Sequence, residues 1–239
     1  MDSVLESVEW GKHPLSLLSQ MKRLDTKKPA FIHIRHSERP LIDFNKDEKL
    51  NTPLSKRGEK VAYQFGSNLP LGREYIIHHT DMDRTVKTSE NIKQGIEDNN
   101  GTACIVGEIP LATVVDMEAV VEILKKIKTG SESERSRIYL NSWISGMYPP
   151  WVMKPSLEFA QIGASLMYKD LKTALRGEVH IWISHDSWVF GSLHHWFGET
   201  LFDCIDFMDG FILQLNDDDM NLFFRGRERQ VAYPYWWRF

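Results

Sequence analysis

The feature that constrains this chain most is an alternation. Four short apolar runs, at residues 30–36 (AFIHIRH), 75–79 (YIIHH), 102–106 (TACIV) and 179–184 (VHIWIS), are separated by stretches of helical periodicity. Runs of that length, bounded by breakers, read as buried strands. Ser55 opens a helical segment with Val61, Ala62 and Phe65 at helical spacing, and Asn68-Leu69-Pro70 closes it. A second helix is expected from about Arg84 to Ile96, stopped by Asn99-Asn100-Gly101. Others are expected over 116–128, over 156–175, and through WVFGSLHHWF to Gly198. FILQL and NLFFRG, on either side of Asn216 to Asp219, read as an antiparallel hairpin. The pattern predicts one α/β domain over 1–239 with a mostly parallel central sheet flanked by helices. Residues 129–155, rich in Ser, Gly and Pro, read as an insertion or lid.

Composition excludes several classes. The 239 residues carry a formal net charge of -4, against a generally basic nucleic-acid-binding surface. No stretch approaches the roughly 18 apolar residues of a membrane-spanning helix. The opening MDSVLESVEW lacks the basic and apolar regions of a secretion signal, so a cytoplasmic location is expected. Cys104 and Cys204 read as reduced thiols with no metal-ligand spacing.

Ligands of α/β sheets gather beyond the carboxyl ends of strands. Three such ends carry unusual residues: Arg35-His36-Ser37-Glu38-Arg39, then Thr80-Asp81-Met82-Asp83-Arg84-Thr85, then Ser184-His185-Asp186-Ser187. If these strands are neighbours, three arginines, two histidines and a carboxylic acid converge. Guanidinium forks bind phosphate oxygens bidentately and keep their charge. A neutral imidazole can attack phosphorus, and a protonated Asp can supply a leaving oxygen with its proton. Each piece alone also has a structural explanation, such as Arg84 in a surface ion pair or Asp186 as a first-turn helix acid.

The set resembles the histidine phosphatase superfamily, in its histidine acid phosphatase branch. Arg35-His36-Ser37-Glu38-Arg39-Pro40 is similar to the RHGxRxP signature, with Ser37 at the usual Gly position and Pro40 one place early. Residues 80–89 resemble TDxDRTxxSA, residues 54–62 the LTxxGxxQA helix start, and Ser184-His185-Asp186 the late HD motif. The resemblance implies a phosphoglycerate mutase-like fold with a reduced helical insertion lobe at about 107–176. It implies His36 as nucleophile, Arg35, Arg39, Arg84 and His185 as phosphate ligands, and Asp186 as general acid. No metal or other cofactor is implied, and the partner expected is a small phosphorylated substrate. Oligomeric state stays open. A bell-shaped pH profile follows from a neutral His36 and a protonated Asp186.

A sister branch takes its acid after the third strand, which makes Glu108 an alternative proton donor and Glu118 a weaker one. Phosphomutase-type transfer and a catalytically weak phospho-ligand binder are the alternative functions. His33 reads as a core histidine, and one of His78 and His79 as a candidate for the pocket. His194 and His195 are adjacent on a helix and point about 100° apart, which disfavours joint chelation. Trp143, Tyr148 and Trp151 are candidates to line a substrate pocket. Tyr233, Tyr235, Trp236 and Trp237 read either as an interface or as a tail over the core.

Overall fold

The computed structural model describes residues 3–42, 52–200, 203–234 and 237. The chain opens with α1 (Val4–Ser7), a single 3-10 turn (Glu9–Gly11) and α2 (Lys12–Met21). Then follow β1 (Ala30–Arg35), α3 (Lys56–Ser67), β2 (Glu74–His79), α4 (Asp83–Asp98) and β3 (Thr102–Glu108). Three helices come next, α5 (Met117–Lys126), α6 (Glu132–Ile144) and α7 (Ser156–Thr173), before β4 (Val179–Ser184) and α8 (Asp186–Phe197). The chain returns as β5 (Gly210–Leu215), β6 (Asp219–Phe224) and β7 (Arg227–Ala232).

The seven strands form one sheet in the order β3-β2-β4-β1-β5-β6-β7. The central strands β3, β2, β4 and β1 are mutually parallel, as expected, and β5, β6 and β7 continue the sheet antiparallel, which makes the whole sheet mixed. The cause is local. The short turns after β5 and β6 permit only hairpins, whereas parallel neighbours need helical crossovers. Central β4 is buried along its whole length. Edge strand β7 presents Arg227, Glu228, Arg229 and Gln230 to solvent, a charged border that discourages strand addition.

Helices cover both faces. Beneath lies a core of Leu17, Val61, Phe65, Ile92 and Ile181, packed by α1 to α4. Above lies the aromatic core of Phe31, Trp143, Phe159, Trp182, Trp188 and Trp196, packed by α5 to α8. Helices α3 and α4 approach unusually closely. A Cβ on Gly66 would fall 2.1 Å from the Ile92 carbonyl oxygen, and one on Gly95 would fall 2.1 Å from that of Tyr63.

The 129–155 segment is not an irregular lid, because it contains the 13-residue α6. Trp143 is a core residue whose indole donates to the Lys154 carbonyl, Tyr148 stacks on Tyr139, and Trp151 is exposed. At the C-terminus, Tyr233 and Trp237 pack on Tyr168. Trp237 also packs edge-on against Trp196, as a tail over the core does. Tyr235 and Trp236 lie outside the described residues. No helix among those residues is long and apolar enough to cross a membrane.

Candidate active site

Neighbouring strands β2, β4 and β1 end side by side, and their carboxyl ends meet at one cavity of about 350 Å³. Arg35, His36, Arg39, Arg84, His185 and Asp186 all line it. Glu108 does not; it is exposed at the end of β3, and Glu118 is exposed on α5.

The loop after β1 is held from below. Ser37 is fully buried, donates its hydroxyl to the Gly58 carbonyl (2.8 Å), and donates its N–H to Thr88 Oγ1 (3.1 Å). Its backbone is not among the left-handed positions, so a side chain fits where the resembling motif has glycine. The glycine that is needed is Gly58, whose Cβ would fall 2.2 Å from the Glu38 carbonyl oxygen. Glu38 anchors the same corner through Ser55 Oγ (2.6 Å) and Arg57 Nε (2.9 Å). Arg57 beside it holds the Glu38 carboxyl below its ordinary range.

These constraints orient His36. Its Nδ1–H donates to the Ser37 carbonyl (2.7 Å), because a carbonyl only accepts. Nε2 therefore carries the lone pair, and it accepts from Arg84 Nε–H at 3.0 Å. Burial, then Arg84 and Arg35, hold the imidazole pKa well below the ordinary value, so the ring is neutral. Nε2 is thus unprotonated, and His36 lines the cavity.

His185 is oriented by similar logic. Arg84 Nη2 donates to His185 Nδ1 (3.3 Å), which leaves the proton on Nε2 to reach Thr80 Oγ1 (3.0 Å). Thr80 in turn bonds Thr85 Oγ1 (2.9 Å), whose own hydroxyl is donated to backbone carbonyls. Burial and the nearby arginines keep this imidazole neutral too. Arg84 is lowered to about 10 by burial and by Arg39, and so remains charged at neutral pH.

Asp186 is the first residue of α8. Its Oδ1 accepts from the Ser187 N–H (2.9 Å) and its Oδ2 from Ser136 Oγ (2.7 Å), while Arg35 Nη2 lies 3.9 Å away. Burial pushes its pKa up, but Arg35, Ser136, His185 and the Ser187 N–H outweigh burial and leave it below the ordinary value. Arg35 stacks on Phe207, 4.5 Å from the ring centroid, and donates to the Ile205 carbonyl (2.6 Å). Arg39 pairs with Glu132 at 2.5 Å.

Ser136, Glu132 and Arg135 are cavity residues that sequence reasoning missed, all on α6. The available signal was a capping box: Ser131 caps the Glu134 N–H (3.1 Å), a Ser-x-x-Glu spacing that marks a helix start. The remaining histidines lie elsewhere. His33 is a buried core residue bonded to Ser184 Oγ (2.7 Å). His78 and His79 line no part of the cavity, and His195 bonds Ser156 Oγ.

No protein-family model and no curated sequence matches the chain. Solved structures do. A mycobacterial hydrolase superposes with a TM-score of 0.51 at 12% identity, over 85% of this chain and 97% of its own. The mycobacterial glucosyl-3-phosphoglycerate phosphatase gives 0.50 at 12% identity over the same shares. An Escherichia coli protein described as an α-ribazole-5′-phosphate phosphatase gives 0.50 at 13% identity, over 87% of this chain and 97% of its own. The chain has the fold of the phosphoglycerate mutase-like histidine phosphatases. The likeness is to that common fold rather than to the acid phosphatase branch.

Proposed function

We propose that this chain is a phosphomonoesterase that works without a metal through a phosphohistidine on His36. The observation that carries the reading is the tautomer of His36, a neutral ring with its Nε2 lone pair aimed into a cavity ringed by Arg35, Arg39 and Arg84. His36 Nε2 attacks phosphorus as the ester P–O bond breaks, and Asp186 gives its proton to the departing alcohol. Water then loses a proton to Asp186 and attacks phosphorus, the P–N bond breaks, and phosphate leaves with His36 neutral again. Arg84 exchanges its bond to Nε2 for one to a phosphoryl oxygen. The three guanidinium groups stabilise the equatorial charge, the part a divalent cation plays in other phosphoryl transfers.

Asp186 is ionised in the site as it stands, because Arg35 and Ser136 favour its charge. A bound phosphoryl dianion draws on Arg35 and opposes a second anion beside it, which raises the Asp186 pKa and loads the acid with substrate. The place of Asp186 in the cavity, with Glu108 outside it, supports the acid phosphatase arrangement of acid directly after histidine.

Past the arginines the cavity turns apolar, walled by Leu111, Val114, Met117, Val120, Leu124 and Tyr139. This suits an ester whose alcohol carries an apolar or aromatic body better than a sugar phosphate. The test is turnover of p-nitrophenyl phosphate and a panel of alkyl, aryl and sugar phosphates in excess EDTA, for wild type and His36→Ala. EDTA-resistant hydrolysis abolished in the variant is expected. Hydrolysis surviving in His36→Ala, or turnover dependent on a bisphosphate primer, overturns the reading.

A further inference from the structure

Between the sheet and α7, outside the catalytic cavity, three metal-ligating side chains converge. His78 of β2 and His180 of β4 stand on adjacent parallel strands and on the same face, with Ile76 opposite His180 and His78 opposite Trp182. Their rings stack at 20°, with centroids 5.7 Å apart. His78 Nε2 is 3.4 Å from His180 Nδ1 and 3.9 Å from Oδ2 of Asp170 on α7. One donor atom from each of the three lies within 4.8 Å of the others.

A zinc ion with bonds of roughly 2.0–2.1 Å to nitrogen needs donors roughly 3.3 Å apart on a tetrahedral edge. The two imidazole nitrogens already stand at that separation, and the Asp170 carboxylate oxygen lies 3.9 Å from one of them, on the side of α7. The chemistry of the group agrees. His180 is 8% exposed, and its far nitrogen, Nε2, is buried without a hydrogen-bond partner among the described residues, 3.6 Å from the Glu178 carboxylate. Metal-bound histidines characteristically turn that second nitrogen toward a carboxylate.

We propose that His78, His180 and Asp170 bind one divalent ion of the zinc class, with water in the fourth position, and that the ion fastens α7 to the sheet. His180 coordinates through Nδ1 and its Nε2–H is directed to Glu178. None of the three ligands lines the catalytic cavity, so the ion acts on stability and takes no part in phosphoryl transfer.

The test uses the full chain after chelation and removal of the chelator. Zn²⁺ should raise the melting temperature by about 5 °C at a hundredfold excess over its dissociation constant. One equivalent of Co²⁺ should give visible absorption bands that Zn²⁺ abolishes. His78→Gln and Asp170→Asn should lose both responses while keeping p-nitrophenyl phosphate turnover at 25 °C. Asp170→Asn, on a partly exposed helix position, serves if His78→Gln folds poorly. Absence of a one-equivalent Co²⁺ spectrum in wild type, or Zn²⁺ stabilisation retained in Asp170→Asn, overturns the proposal. Either result leaves the phosphatase reading untouched, because that reading is decided by His36 in EDTA.

Discussion

The cavity has two walls of different origin. One is made by strand ends: Arg35 closing β1 and His36 after it, Arg84 at the start of α4, His185 and Asp186 after β4. Its groups are fixed by main-chain geometry and by a closed chain of bonds running His185, Thr80, Thr85. The other wall is made by α5 and α6, and contributes apolar surface together with Glu132, Arg135 and Ser136. Here the polar groups act on the first wall's residues, Ser136 on Asp186 and Glu132 on Arg39. In the mechanism proposed above, the strand-end wall holds the reacting groups, and the helical wall tunes them and shapes the leaving group's pocket. The sharpest way to break this division is to find that helical-wall variants cost as much as strand-end ones.

The largest effect expected is that of His36→Ala, a loss on the order of 10⁴-fold or more in kcat, since the variant removes the proposed nucleophile outright. Rapid-quench labelling with a radioactive phosphoester should show an alkali-stable phosphoenzyme in wild type and none in the variant. Next is Asp186→Asn, with a loss of about 10²–10⁴-fold on an alkyl phosphate. On p-nitrophenyl phosphate, whose leaving group needs little protonation, the burst of alcohol release that reports phosphorylation of His36 should slow little, whereas hydrolysis of the phosphoenzyme should slow for both esters. An equal loss of burst rate on both esters would remove Asp186 from the role of proton donor.

The two walls were not equally legible in the sequence. Arg35, His36, Arg84, His185 and Asp186 could be read because each sits within two residues of a strand end or a helix start, and strands with such apolar runs announce themselves. The order in which β1, β2 and β4 lie side by side is what turns these separate pieces into a site. The helical wall was hidden by its own function. The first half of α6, from Glu132 to Arg137, is polar because it faces Arg39 and Asp186, and its apolar residues Tyr139, Leu140 and Trp143 come only in the second half. A helix that spends one face on a polar site shows little periodicity, and the Ser-rich stretch imitates a loop. Strand β7 was missed for a related reason, since an exposed edge strand of charged residues has no apolar alternation to read. The 3.4 Å approach of His78 and His180 depends on strand register, which no local pattern encodes.

Ser136→Ala is a gentler probe of the same division. It deletes a donor to the Asp186 carboxylate, and deletion of a bond that favours the charged form raises the acid's pKa. The limb of the kcat/KM profile that falls with rising pH should move to higher pH, with kcat changed by less than about tenfold. A loss without displacement of that limb would make Ser136 a packing residue only.

The smallest effect on turnover, and the one that separates the walls thermodynamically, concerns acid. Residues 107–176, which include the whole helical wall, contain no histidine, whereas the sheet buries several. Burial lowers the His33 pKa to about 3, and with no charged partner its neutral form is the native one. The unfolded chain binds a proton there near pH 6.5 and the folded chain does not, so stability is full above that pH and falls as pH drops toward the folded value. His33 alone should cost about 2 kcal/mol between pH 6.5 and pH 5. His195, lowered by burial to about 4, adds in the same direction. Urea unfolding at pH 7.5, 6.5 and 5 should show the decline, and His33→Asn should flatten its slope. A chain built this way resists protonation of its core, whereas the general acid of the proposed mechanism needs a proton. The substrate-driven loading of Asp186 proposed above reconciles the two demands, because it allows turnover at a pH where the sheet's histidines stay neutral. If stability is instead flat from pH 7.5 to 5, the neutral-core argument fails. The acid limb of activity would then have to be assigned to His36 alone.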